Sequence, residues 1–157
     1  GIIVENSQIY NSTLVGNGID SFPKGVEFTS EILLDGCDIS GYGNVGVMFN
    51  YVSESISHGT RISKINGTTN SGSGVYIANS TVSFPMDIFG EAYIENYEEA
   101  ENFGVCIENS SILSPDSPLT IEGRGQHGVV LDSYSSQVNL TANSLIITGI
   151  GTDGIGI

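Results

Sequence analysis

The sequence predicts an all-β solenoid, a right-handed parallel β-helix of about six coils of 21–30 residues with three short strands in each coil. Two observations predict it. A glycine followed by alternating apolar residues recurs along the whole chain, and a second segment with its own period-2 alternation falls inside every interval. Such alternation is typical of a strand with one buried face. The repeats cover residues 1–157, which we therefore treat as a single β-helix domain.

The first strand of each coil begins at a repeated glycine. The segments that share this pattern are Gly1–Val4, Gly25–Phe28, Gly46–Phe49, Gly74–Ile77, Gly104–Ile107, Gly128–Leu131 and Gly154–Ile157. One coil of this length cannot bury its inner face alone. The coils are therefore expected to stack about 4.8 Å apart around one shared core.

The corner after the first strand carries an Asn-Ser dipeptide at the same offset in three coils. The asparagines are Asn6, Asn79 and Asn109. Stacked identical amides can hydrogen-bond along the axis and satisfy turn groups that would otherwise be buried without partners. These three residues are therefore predicted to form a structural asparagine ladder.

The remaining two strands of each coil are a short middle segment and a last strand. Middle segments include Ile32-Leu33 and Ile112-Leu113. The last strand places an aliphatic residue two positions before a glycine or asparagine, where close backbone approach or a positive φ is wanted. The pairs are Leu14/Gly16, Ile39/Gly41, Ile65/Gly67, Ile94/Asn96, Ile121/Gly123 and Ile147/Gly149.

With these Gly-Val-x-Ile-x-Asn-Ser and Leu-x-Ile-x-Gly-x-Gly units, the chain resembles the pectate-lyase-like right-handed β-helix superfamily. Within that superfamily it is most similar to the repeat regions of filamentous-haemagglutinin-type adhesins and similar long surface proteins. The resemblance covers essentially the whole chain. It implies an architecture more than an activity, because one fold serves many functions.

Composition and charge limit the partners. Lys and Arg number 4 against 18 Asp and Glu, so the net charge of −14 disfavours nucleic acid and anionic membrane surfaces. No apolar run approaches the length of about 18 residues that crosses a bilayer, which argues against direct membrane insertion. The chain begins and stops within a repeat without a polar cap, so we expect a fragment of a longer rod or a subunit that stacks end to end.

Outward positions of the first strand form a largely apolar row. Its predicted members are Ile3, Met48, Tyr76, Cys106 and Val130. A contiguous apolar stripe marks a contact surface, and the competing interpretation is that a loop of the chain folds over it. Cys37 occupies an inward position three coils from Cys106. Three coils are about 14 Å, beyond the reach of a disulfide, so both thiols are expected to be free.

Two groups of polar residues are candidate metal or catalytic sites. The crowded carboxylates Glu95, Glu98, Glu99 and Glu101 are candidate calcium ligands, the only cofactor the sequence suggests, although such a charge run also suits a solvated loop. His58 and Arg61 are similar in letters to polygalacturonase elements, but the Asn-Thr-Asp and Asp-Asp motifs that supply the two carboxyls are absent.

His127 and Asp132 could share an outward face, but no nucleophile accompanies them in a recognisable spacing. No catalytic residue is therefore expected. Three sequons are candidate glycosylation sites, at Asn11, Asn66 and Asn139.

The function expected from these features is that of a non-catalytic structural module in a secreted or cell-surface protein. It would serve as an adhesin stalk or as an extracellular fibre subunit assembled end to end. Its partners would be flanking coils or other copies of itself, with carbohydrate or a host surface as further candidates. The alternative is a β-helix that cleaves carbohydrate, or one that binds it through Tyr42, Tyr51, Tyr76 or Tyr93.

Overall fold

The computed structural model describes residues 1–19, 24–53, 62–83, 85–93, 102–132 and 137–152. Thirteen β-strands lie within this part of the chain. In chain order they are β1 Ile2–Tyr10, β2 Thr13–Asn17, β3 Lys24–Asp35, β4 Cys37–Tyr42, β5 Val45–Ser53, β6 Ile62–Thr69, β7 Ser73–Ala78, β8 Thr81–Ser83, β9 Pro85–Ala92, β10 Phe103–Glu108, β11 Ser111–Gly125, β12 His127–Asp132 and β13 Asn139–Gly151. None of the described residues belongs to a helix long and apolar enough to cross a membrane.

The strands form two sheets in which every recorded pairing is parallel. The first sheet has the order β1-β3-β5-β7-β10-β12, and the second has the order β2-β4-β6-β9-β11-β13, with β8 also paired to β11. Six successive coils contribute strands to each sheet, which makes about five turns. The predicted all-β parallel solenoid is therefore confirmed.

In most coils the middle segment is continuous with the first or the last strand of the same coil. In β1 and β3 the first and middle segments run together through Asn6 and Ser30, whose φ values of 45° and 67° bend the chain. In β11 and β13 the middle and last segments are continuous instead. Among the described coils, only the one that contains β7, β8 and β9 has three separate strands. Three segments per coil thus produce two sheets.

The core consists of inward-facing rows that run through all coils in register. Two rows come from the first sheet and one from the second. The rows are Ile2/Val26/Val47/Val75/Val105/Val129, Val4/Phe28/Phe49/Ile77/Ile107/Leu131 and Leu14/Ile39/Ile65/Ile88/Ile121/Ile147. Phe28 and Phe49 stack with ring centroids 4.7 Å apart. Burial of each such aliphatic or aromatic side chain contributes about 1.5–3 kcal/mol, so this shared core dominates the stability of the stack.

Two rows of glycines face each other where the chain passes from the second sheet to the first. We call this contact the glycine seam, formed by the pairs Gly16/Gly25, Gly41/Gly46, Gly67/Gly74, Gly90/Gly104 and Gly123/Gly128. A Cβ atom on Gly67 would lie 1.8 Å from the carbonyl oxygen of Gly74. Among the described glycines only Gly36 and Gly72 have a positive φ. The repeated glycines are therefore required by close backbone approach and not by left-handed conformation.

The glycine seam corrects one element of the sequence prediction. In the fourth coil the pair in register with Ile65/Gly67 is Ile88/Gly90, not Ile94/Asn96. A Cβ on Gly90 would lie 1.9 Å from the carbonyl oxygen of Gly104, so an asparagine cannot occupy this row. Ile94 and Asn96 lie outside the described residues.

Candidate functional site

The predicted contact stripe is a single row on the outer face of the first sheet. Coil by coil, the row runs through Ile3, Glu27, Met48, Tyr76, Cys106 and Val130. The side chain of Ile3 is 63% exposed, whereas that of Cys106 is only 7% exposed. Glu27 interrupts the apolar character and pairs with Lys24 at 2.5 Å between Nζ and Oε1. The structure thus places these residues in one register row, and their role as a contact surface stays a prediction.

The Tyr76 hydroxyl and the Cys106 thiol share an acidic environment in this row. The Tyr76 hydroxyl donates a hydrogen bond to the Glu108 carboxylate, and burial followed by that hydrogen bond raises the pKa of Tyr76. Burial, and then the charges of Glu108 and Asp132, raise the pKa of Cys106 to about 12. A thiol with this pKa is protonated at neutral pH and is a weak nucleophile. Cys106 and Cys37, both buried, are free thiols, as predicted.

The raised pKa of Cys106 makes the free energy of unfolding depend on pH. The folded state holds the thiol proton more tightly than the unfolded state, whose pKa is near 9.0. The resulting stability is fully present below about pH 9 and is lost as the pH rises toward 12. We expect Cys106→Val, which introduces the residue found one coil away at Val130, to make the alkaline fall in melting temperature shallower.

Circular dichroism melts of both proteins across the alkaline range test this expectation. Mass spectrometry after brief iodoacetamide treatment of the native protein at neutral pH gives a second measurement. Rapid labelling of Cys106, or the same alkaline slope in both proteins, would contradict the prediction.

The three asparagines predicted to form a ladder occupy the same corner. Asn6, Asn79 and Asn109 have φ values of 45°, 49° and 46°, in the left-handed region that asparagine adopts more readily than most residues. Ser30 and Tyr51 hold this corner in the two coils between Asn6 and Asn79. Only Asn79 and Asn109 therefore belong to adjacent coils. The left-handed backbone explains the preference for asparagine, and a ladder of side-chain amides stays a prediction.

Serine hydroxyls connect neighbouring coils at this corner, a role that sequence reasoning missed. The backbone N–H of Val52 donates to Ser80 Oγ, and the N–H of Ser80 donates to Ser110 Oγ, both at 3.0 Å. The two hydroxyls in turn donate to the carbonyls of Ala78 and Glu108 at 2.7 and 2.6 Å. The serine of the repeated Asn-Ser dipeptide is the sequence feature that could have indicated this ladder of serine hydroxyls.

A polar cleft of about 490 Å³ opens beside the same corner across three successive coils. We call it the corner cleft, and its polar lining includes Tyr51, Ser53, Asn79, Ser80, Thr81, Asn109 and Ser111. Tyr51 is 69% exposed and has a φ of 54°. None of the described residues that line the cleft is charged. The site therefore combines an exposed aromatic ring with neutral hydrogen-bonding groups.

The left-handed backbone of Tyr51 should carry strain. A bulky residue at this φ costs about 1–3 kcal/mol, whereas asparagine tolerates it. We therefore expect Tyr51→Asn to raise the free energy of unfolding by about 1 kcal/mol, because the exposed ring contributes little burial. Urea denaturation measures the change. Tyr93→Asn is the control, since Tyr93 is 53% exposed and is not among the residues with positive φ. A loss of stability in Tyr51→Asn would refute the strain argument.

The outer face of the second sheet is polar where β4, β6 and β9 pair. Lys64 lies in register between Asp38 and Asp87 on the neighbouring strands. Arg124 contacts Glu122 at 2.7 Å between Nη2 and Oε1, and its guanidinium lies 5.5 Å from the Phe89 ring centroid. These exposed charges suit a solvated face.

Several predicted polar sites lie outside the described residues. These are the calcium candidates Glu95, Glu98, Glu99 and Glu101, together with His58 and Arg61. Within the part of the chain that the structure describes, no three His, Cys, Asp or Glu side chains lie close enough to hold a metal ion. His127 begins β12 and stacks on Phe103 with centroids 5.4 Å apart, whereas Asp132 is exposed at the end of the same strand.

The tyrosines proposed as stacking platforms do not share one surface. Tyr42 ends β4 of the second sheet, Tyr51 occupies the corner, and Tyr76 lies on β7 of the first sheet. The hydroxyl of Tyr93 donates to Glu91 at 2.7 Å. Only Tyr51 adjoins the corner cleft.

The three sequon asparagines are exposed at Asn11, Asn66 and Asn139. Asn11 has a φ of 47°, and its backbone N–H donates to the carbonyl of Asp35 at 2.7 Å. Their side chains can be reached by a modifying enzyme, and glycosylation itself stays a prediction.

Comparison of the chain with protein-family models, with curated proteins and with solved structures found no match.

Proposed function

We propose that the chain is a non-catalytic structural module of a secreted or cell-surface protein, either the stalk of an adhesin-type protein or a subunit of an extracellular fibre. The observation that supports this best is the continuous parallel pairing of two sheets through six coils. At about 4.8 Å per coil, the six coils would span about 29 Å along the axis. Such continuous stacking favours a rigid spacer.

The polar groups of the described coils support rigidity as well. Among these residues no buried side-chain nitrogen or oxygen lacks a hydrogen-bond partner. Fully satisfied buried polar groups avoid the desolvation cost of about 1–3 kcal/mol that each orphaned group carries. The net charge of −14 keeps neighbouring rods apart. Nothing in this role calls for a cofactor.

The expected partners are flanking coils or second copies that continue the two sheets. Strands β1, β2, β12 and β13 lie at the sheet edges, where backbone groups can pair with another strand. Leu131 belongs to an inward row, and Leu145 pairs in register with the buried Leu119, yet the two are 40% and 41% exposed, so a further coil would cover them. These apolar side chains favour lengthwise stacking over lateral contact.

One observation favours a second candidate function, cleavage of carbohydrate. Glu108 and Asp132 are adjacent in register on the outer face of the first sheet, and glycoside hydrolysis needs two carboxyl groups. The other described members of this row are Glu5, Thr29, Asn50 and Ala78, none of them basic. The row therefore lacks the Lys or Arg that a lyase would require.

The test combines an assembly measurement with an activity measurement. Light scattering and negative-stain electron microscopy should show either lengthwise filaments with a repeat of about 29 Å, as a fibre subunit requires, or single short rods, as a stalk segment requires. Leu145→Lys should abolish any filaments, whereas Asn66→Lys, at an exposed position on the central strand β6, should not.

Incubation with a panel of polysaccharides, followed by an assay for new reducing ends and unsaturated products, should show no turnover. Turnover that disappears in both Glu108→Gln and Asp132→Asn would overturn the structural function.

A further inference from the structure

We propose that the corner cleft binds a neutral oligosaccharide, with a sugar ring stacked on Tyr51 and its hydroxyls hydrogen-bonded to the asparagine, serine and threonine side chains of the next two coils. This proposal does not depend on whether the module is a stalk or a fibre subunit.

Tyr51 is the first reason. Its corner position is occupied by asparagine in three other coils and by serine in one. A large aromatic residue in a left-handed conformation is a rare and strained choice, and such strain persists mainly at ligand sites and switch regions. The ring is 69% exposed, so neither core packing nor backbone geometry accounts for it. An exposed tyrosine presents a broad apolar face at a low conformational-entropy cost, and a sugar ring can stack on that face.

The polar lining is the second reason. Asn79 and Asn109 hold the corner in two adjacent coils, and Thr81 on β8 pairs in register with Ser111 on β11. Amide and hydroxyl groups both donate and accept hydrogen bonds, which matches the hydroxyls of a saccharide. The parallel register repeats this set about every 4.8 Å along the axis. A chain of sugar units laid along the axis would therefore meet the same groups at successive coils.

Size and charge define the ligand class. The volume of about 490 Å³ falls within the range of small-ligand sites and suits a short oligosaccharide. No described residue in the lining is charged, and the chain carries a net charge of −14. A uronate-rich, sialylated or phosphorylated glycan would enter a repulsive field and would meet no cationic side chain among the described lining residues. The site is therefore assigned to neutral saccharides.

The experiment uses the whole chain on an array that presents neutral oligosaccharides of glucose, galactose, mannose and N-acetylglucosamine beside acidic glycans. The strongest binder is then titrated calorimetrically against the native protein and variants. We expect binding to neutral glycans only, and an affinity at least about tenfold weaker in Tyr51→Asn. Because that variant is expected to fold with higher stability, a loss of binding cannot be attributed to unfolding.

Two further variants sharpen the test. Asn79→Ala should weaken binding, because it removes an amide from the cleft while leaving Tyr51 in place. Tyr93→Asn should bind like the native protein, since Tyr93 lies outside the cleft. The proposal is overturned if the native chain binds no neutral glycan, if acidic glycans bind better, or if Tyr51→Asn binds as tightly as the native protein. An equal loss of affinity in Tyr93→Asn would also overturn it.

Discussion

Gly67→Ala is expected to lower the free energy of unfolding by at least about 3 kcal/mol, a loss large enough to prevent folding of a marginally stable domain. The added Cβ would lie 1.8 Å from the carbonyl oxygen and 2.4 Å from the carbonyl carbon of Gly74, and 2.9 Å from Val75 Cγ2. Two of these three atoms belong to the backbone. They can give way only if the two sheets separate, which would disrupt the parallel pairing of the adjacent coils.

Asn66→Ala is the matched control, because Asn66 is the preceding residue on β6 and is exposed. Exposed substitutions of this kind usually change stability by less than about 0.5 kcal/mol. Urea denaturation followed by circular dichroism compares the two variants. If Gly67→Ala unfolds at nearly the same urea concentration as Asn66→Ala, the glycine seam does not set the distance between the sheets.

Phe49→Ala is expected to lower the free energy of unfolding by about 3–5 kcal/mol. The ring is only 1% exposed, and it stacks on Phe28 at 4.7 Å with an interplanar angle of 18°. Truncation would leave a cavity in the middle of the inward row. The neighbouring coils cannot close this cavity, because their spacing is set by backbone hydrogen bonds on both sides.

Leu145→Ala tests whether the position of a side chain within the stack decides how much its truncation lowers the free energy of unfolding. Leu145 pairs in register with the buried Leu119 but is 41% exposed on β13, so its truncation should cost about 1 kcal/mol. Thermal and urea unfolding of both variants measure the difference. Equal losses would show that burial in the central coils is not the main source of stability.

The alternating pattern predicted the core well because period-2 spacing is a property of each strand. Val75 and Ile77 are buried, and Tyr76 between them faces outward, as the sequence indicated. The same reasoning correctly aligned Met48 with Tyr76 and Cys106 with Val130, because each follows its glycine at the same offset. The spacing of residues within a strand was therefore sufficient to predict its inward and outward positions wherever the repeat unit was clear.

The sequence prediction was wrong for the last strand of the fourth coil, because two segments there fitted the last-strand pattern. Ile88/Gly90 and Ile94/Asn96 both match the last-strand signature, and the longer repeat around them left the choice open. The steric requirement for glycine opposite Gly104 decides between them, but this requirement is visible only when the two sheets are placed together. The serine hydroxyl ladder was missed for a similar reason, since its donors and acceptors lie 28 or 30 residues apart.

The order of residues along the chain was enough to define the all-β class, the parallel stacking and the inward rows, because each follows from alternation repeated at a regular interval. The corner cleft required the folded structure. Tyr51, Asn79 and Asn109 are distant from one another in the sequence. The in-register pairing of β5, β7 and β10 brings them together. Stacking, which couples distant coils through backbone hydrogen bonds and the glycine seam, is the physical step that brings these side chains into one site.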